Sequence, residues 1–95
     1  MRRQFVHTVS ALLRENPKTV LLLGDVGTFA FRDAFKEFPD RVFNIGILEQ
    51  SMVGVAAGWA LRGYIPIVHT ISPFIAERAY EQLKIDFGYP KLKGI

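Results

Sequence analysis

Apolar positions change their spacing several times along this chain, and each change marks an element. Between residues 2 and 15, Phe5, Val9, Leu12 and Leu13 recur at the spacing of one helical face, and Asn16-Pro17 ends the pattern. Thr19-Val20-Leu21-Leu22-Leu23 then runs without alternation up to Gly24, which suits a strand buried on both faces of a parallel sheet. Phe31, Ala34, Phe35 and Phe38 return to helical spacing, with Thr28 as a candidate N-cap and Pro39 as the stop. Arg41 to Gly46 reads as a second strand.

From Glu49 to Arg62 almost every position is apolar or small, and Gly63 can supply the left-handed residue that ends a helix. Such a helix is expected to be buried nearly all round. Gly54 and Gly58 lie four apart on one face, where missing side chains let another backbone approach, at a helix-propensity cost of roughly 1 kcal/mol each. Tyr64 to Thr70 reads as a third strand, with Pro66 near its start, where a missing donor is tolerated. Ser72-Pro73 has the form of an N-cap followed by proline, and Ala76, Ala79, Tyr80, Leu83 and Phe87 continue a helical face to Gly88. Leu92 to Ile95 looks like the start of a further strand. Helices and strands therefore alternate, the pattern of successive βαβ units, and the predicted fold is α/β with a parallel sheet flanked by helices. Ligands in such sheets sit beyond the carboxyl ends of the strands, here Gly24 to Thr28, Gly46 to Gln50 and Thr70 to Phe74.

Composition narrows the function classes. With 95 residues, 49% hydrophobic and 22% charged, the chain can form one small core but not two domains. The absence of cysteine removes disulfides, thiolate metal sites and cysteine nucleophiles. The net charge of +3 is spread over the sequence, without the basic stripe that nucleic-acid binding requires. No apolar stretch reaches the length of a membrane span, and Met1-Arg2-Arg3 precedes Gln4, His7 and Thr8 instead of a signal-peptide core. A soluble, cytoplasmic protein is the expectation.

The three loops hold the candidate chemistry, each with a plainer reading beside it. Gly24-Asp25-Val26-Gly27 lacks the third glycine of a dinucleotide loop and the Lys-Ser/Thr pair of a phosphate loop, so a tight turn with Asp25 bonded to nearby backbone competes with a small nucleotide site; a magnesium site of Asp25 and Asn44 would have too few ligands. Asn44-Ile45-Gly46-Ile47-Leu48-Glu49-Gln50 puts a carboxyl group at the first turn of an apolar helix. The helix dipole favours the anion there, whereas apolar surroundings favour a neutral acid able to share a proton. His69-Thr70-Ile71-Ser72-Pro73-Phe74 combines an imidazole, two hydroxyls and a ring, and His69 reads either as a packed histidine or as a site residue.

The segment Phe43 to Gly58, with Glu49-Gln50 at its centre, and Gly63-Tyr64-Ile65-Pro66-Ile67 after it, resembles the pyrimidine-binding domain of the transketolase family. Asp25, Phe38-Pro39-Asp40-Arg41 and Arg78-Ala79-Tyr80-Glu81-Gln82 also resemble its C-terminal-subunit type and the deoxyxylulose-phosphate synthases, so the resemblance covers essentially the whole chain. It implies a thiamine-diphosphate-binding fold and a part in transferring two-carbon ketol units between sugar phosphates. Glu49 would match the glutamate that bonds N1′ of the thiamine aminopyrimidine and activates the cofactor. Phe74 falls where the family places aromatic residues around that ring, and Asp25 lies in the corresponding first turn. Arg78 resembles an arginine that meets substrate phosphate in the synthase branch, although one extra residue separates it from Pro66 here; His69 lies at the same junction.

The resemblance also implies what this chain must find elsewhere. The family's diphosphate and Mg²⁺ site needs a separate domain with Gly-Asp-Gly and a downstream Asn, which Gly24-Asp25-Val26-Gly27 is not. Residues 1 to 95 correspond to a partial domain, truncated within the strand after the last helix. The expected partner is a diphosphate-binding domain or subunit in a homo- or hetero-oligomer, without which the chain is inactive. The competing expectation is a truncated non-catalytic fragment or interaction module that keeps the fold signature.

Overall fold

The computed structural model describes all 95 residues. Its elements are α1 (Arg2–Glu15), β1 (Thr19–Leu23), α2 (Arg32–Glu37), β2 (Val42–Asn44), α3 (Glu49–Leu61) and β3 (Ile65–His69), followed by an irregular helical segment. The three strands are parallel in the order β2-β1-β3. β1 is central and all five of its residues are buried, which is why its sequence shows no alternation.

Alternate β1 residues serve two separate cores. Leu21 and Leu23 pack with Val9, Leu13, Phe31, Ala34, Val42 and Ile67 beneath α1 and α2. Val20 and Leu22 pack with Met52 and Ala56 of α3, joined at the margin by Phe43, Trp59 and Phe87. The result is a three-layer α/β/α arrangement, with the period-two geometry of one strand dividing the apolar set between the layers.

Arg41 ties the first layer to the sheet. Its part-buried guanidinium donates to the carbonyls of Leu13 at 2.8 Å, Asn16 at 3.1 Å and Thr19 at 3.1 Å, and lies over the ring of Phe38 at 4.7 Å. A cation here joins carbonyls at the end of α1, Leu13 and Asn16, to the first carbonyl of β1. Arg14 and Glu37 link α1 to α2 by two hydrogen bonds of 3.0 Å on the exposed surface.

Several details differ from the pattern-based expectations. α2 begins at Arg32 without a side-chain cap, and the N–H of Phe31 bonds the carbonyl of Gly27; Thr28 lies in the preceding turn and does not cap the helix. α3 buries Glu49, Met52, Val53, Ala56 and Ala57, but Val55 and Leu61 remain 41% and 69% exposed. It is thus covered on one face only, and Gly58 has open space where a side chain would project. Uniformly apolar composition cannot distinguish a face covered by this sheet from one left for another surface.

The segment after β3 is not a continuous α-helix. It forms a π-helical turn over Phe74–Arg78, an α-turn over Tyr80–Gln82 and a second π-helical stretch over Leu83–Gly88, and Ser72 makes no capping bond. Leu92 to Ile95 does not form a strand, but Ile95 alone takes up parallel pairing on β3: its N–H donates to Pro66 O at 2.9 Å and its carbonyl accepts from Val68 N–H at 2.7 Å. No helix is long and apolar enough to cross a membrane.

Candidate functional site

The strand register places Leu23 level with both Asn44 and His69, so all three βα connections leave one edge of the sheet. Asn44 joins the first two. Its Oδ1 accepts from the N–H groups of Asp25 at 3.0 Å and Gly46 at 3.2 Å, while its Nδ2 donates to Asp25 Oδ1 at 3.1 Å. Asp25 adopts φ 60°, a left-handed conformation that aspartate tolerates better than most residues. Gly46, at φ 87°, turns the chain from β2 into α3. A short polar side chain at a strand end followed by glycine is a turn signal, and here it spans two loops.

Gly24 is required by a close approach. A Cβ at this position would lie 2.9 Å from both Cβ and Oγ1 of Thr70, at the start of the third connection. The Thr70 hydroxyl is itself buried without a hydrogen-bond partner.

Glu49 opens α3 and is only 4% exposed. Its Oε2 lies 3.6 Å from a guanidinium nitrogen of Arg78, within ion-pair range but beyond a good hydrogen bond, and its Oε1 is buried with no partner. An unsatisfied buried polar atom costs about 1–3 kcal/mol, so this carboxyl group is an uncompensated expense within the fold. Beside it lies a cavity of about 340 Å³ bounded by Ile47, Leu48, Glu49, Gln50, Ser51 and Arg78.

The π-helical turn supplies the facing side chains. Arg78 lies over the ring of Phe74, 3.7 Å from its centroid, and Gln50 Nε2 donates to the Arg78 carbonyl at 3.1 Å. π-helical turns are uncommon and recur at functional sites, because the widened turn redirects side chains. Glu49, Phe74 and Arg78, singled out in the sequence, therefore meet in one cluster. Gln50 belongs to it as well and was not singled out; its position directly after Glu49 was the available signal.

Asp25 and His69 are engaged elsewhere along the same edge. Asp25 is held by Asn44, and the pair forms a brace between loops. His69 stacks on Phe5 of α1, with ring centroids 4.6 Å apart. It shares the α1 side of β3 with Ile67, opposite the layer that contains α3. Burial, reinforced by the positive charge of Arg2, pushes its imidazole below the usual histidine range. No three His, Asp or Glu side chains converge on a point that could hold a metal ion.

Comparisons with known proteins bear on the family and the fold. Residues 1–93 match the family model for the transketolase pyrimidine-binding domain. The chain is 54% identical over 54 residues to one of the subunits of the apulose-4-phosphate transketolase of Actinobacillus succinogenes, covering 57% of this chain and 17% of that protein. It is 37% identical over 89 residues to the 1-deoxy-D-xylulose-5-phosphate synthase of Dehalococcoides mccartyi, covering 93% and 14% respectively. A solved structure described as a split gene transketolase, inactive beta4 tetramer, superimposes with a TM-score of 0.83 at 41% identity, over 95% of this chain and 30% of that one. The chain thus spans less than a third of the length of these relatives. With the parallel sheet, the glutamate at the head of α3 and a match over nearly every residue, the chain belongs to the transketolase pyrimidine-binding domain family.

Proposed function

We propose that this chain is the pyrimidine-binding part of a cytoplasmic, thiamine-diphosphate-dependent, transketolase-like enzyme that transfers two-carbon ketol units between sugar phosphates. The observation that carries this reading is the buried Glu49 carboxyl group with its unpartnered Oε1 beside a cavity. Such a group fits a ring nitrogen that hydrogen-bonds to it, and Phe74 offers a flat apolar face of the kind a pyrimidine ring stacks on.

When bound, thiamine diphosphate supplies the nucleophilic carbon that carries the transferred unit. The protein's part is binding, orientation and proton control. Glu49 Oε1 would hold the proton shared with N1′ of the aminopyrimidine, in surroundings from which water is excluded. Phe74 would orient the ring, and the Asp25–Asn44 brace keeps the neighbouring loops in place around it. Arg78 is half exposed at the cavity rim and would meet a substrate phosphate, for which a planar guanidinium is well suited.

The diphosphate and Mg²⁺ would be held by a partner domain or subunit. This chain brings no three metal-ligating side chains together and spans a minor part of its relatives. The exposed apolar side chains Val55 and Leu61 on α3 support pairing in a homo- or hetero-oligomer. The test is reconstitution: ketol transfer between sugar phosphates should require this chain, a diphosphate-binding partner and thiamine diphosphate together. Undiminished transfer by the partner without this chain would refute the reading.

A further inference from the structure

We propose that Arg78 is a placeholder for the aminopyrimidine, occupying its two contacts in the unloaded chain and leaving them on loading; the inference rests on the cofactor reading above. One guanidinium touches both groups assigned to the ring: its carbon lies 3.7 Å from the Phe74 centroid, and a nitrogen lies 3.6 Å from Glu49 Oε2. A guanidinium and an aminopyrimidine share the features these contacts select, being flat, stackable on an aromatic face and furnished with N–H donors.

The placement accounts for a charge that otherwise lacks compensation. Glu49 is almost fully buried, and Arg78 is the cation paired with it. A buried carboxylate left alone is strongly unfavourable, so the unloaded site needs a counter-ion. Yet the pairing is incomplete, because Oε1 remains unpartnered. A site completed by its own arginine would resist loading, whereas this one leaves an acceptor free for the incoming ring.

The arginine is also built to leave. Its side chain is half exposed, while its backbone is pinned through the carbonyl bonded by Gln50 Nε2. The head can therefore swing outward without unwinding the π-helical turn. Once off Phe74 and Glu49 it stays at the cavity rim, where a substrate phosphate can engage it. Arg78 would thus compensate Glu49 before loading and serve the substrate afterwards.

Two measurements on the full chain test this. First, 4-amino-2-methylpyrimidine is titrated into wild type and Arg78→Ala by NMR; the variant should bind about tenfold tighter, because the ring no longer competes with an ion pair and a cation–π contact. Equal or weaker binding by the variant, or no binding by either chain, overturns the placeholder role; the cofactor reading is judged separately, by the reconstitution above. Second, thermal melts compare Arg78→Ala with the double variant Arg78→Ala/Glu49→Gln. The double variant should melt higher, because the uncompensated charge is gone; a lower melting point would show that Arg78 does not serve Glu49.

Discussion

Asn44 and Asp25 exchange two hydrogen bonds across the carboxyl edge of the sheet, Asp25 N–H to Asn44 Oδ1 at 3.0 Å and Asn44 Nδ2 to Asp25 Oδ1 at 3.1 Å. The amide accepts through its oxygen and donates through its nitrogen, so one side chain makes both bonds at once. Asn44→Ala removes both bonds and the third to Gly46, and should cost about 1–3 kcal/mol. Chemical denaturation measures it, with amide exchange expected to rise in both loops; a loss confined to one loop would contradict the brace.

Gly24→Ala should destabilise the fold by about 1–3 kcal/mol, since the added methyl meets Thr70 Cβ and Oγ1 at 2.9 Å. Adding Thr70→Gly removes the obstructing atoms and should recover part of the melting temperature. Absence of any recovery would place the conflict elsewhere.

Arg41→Ala leaves the carbonyls of Leu13, Asn16 and Thr19 without their shared donor. Charge-assisted bonds of this kind contribute about 1.5–3 kcal/mol each in favourable cases, and the freed carbonyls would be met partly by water. A loss of about 2–4 kcal/mol in denaturant unfolding is expected, with Arg41→Lys recovering only a minor part because a single ammonium cannot reproduce the fork.

The His69 imidazole is held below its ordinary 6.5 by burial first and by Arg2 second. As the pH falls through 6.5, the unfolded chain therefore takes up its proton before the folded chain does. Stability from this residue is complete above that pH and declines as the pH drops towards and through the folded value. Melting temperatures of His69→Gln should show a shallower decline over this window than wild type. The imidazole proton resonance of the folded chain should titrate below the usual range; titration at or above 6.5 would contradict the burial.

The order of elements was legible because β1 is apolar throughout and the helices have punctuated ends at Pro17, Pro39 and Gly63. The one-sided cover of α3 was not, since Val53 and Val55 look alike in sequence but face opposite surroundings. The break-up of residues 74 to 88 into π-helical turns was hidden for a related reason: apolar spacing records which side chains face a core but not an extra residue per turn. At the site, Glu49 and Phe74 could be named from the motif, whereas their junction through Arg78 depends on that widened turn. Asn44 and Asp25 bond each other as a brace, which residue type alone does not distinguish from a pair of metal ligands.

The central claim is that Glu49 activates the cofactor, and steady-state turnover of Glu49→Gln in the complex reconstituted with its diphosphate-binding partner tests it most directly. Glutamine keeps the size and one acceptor but cannot exchange the proton, so turnover should fall by about two orders of magnitude or more while the assembled complex retains its fold. Turnover near that of wild type would contradict the role given to Glu49.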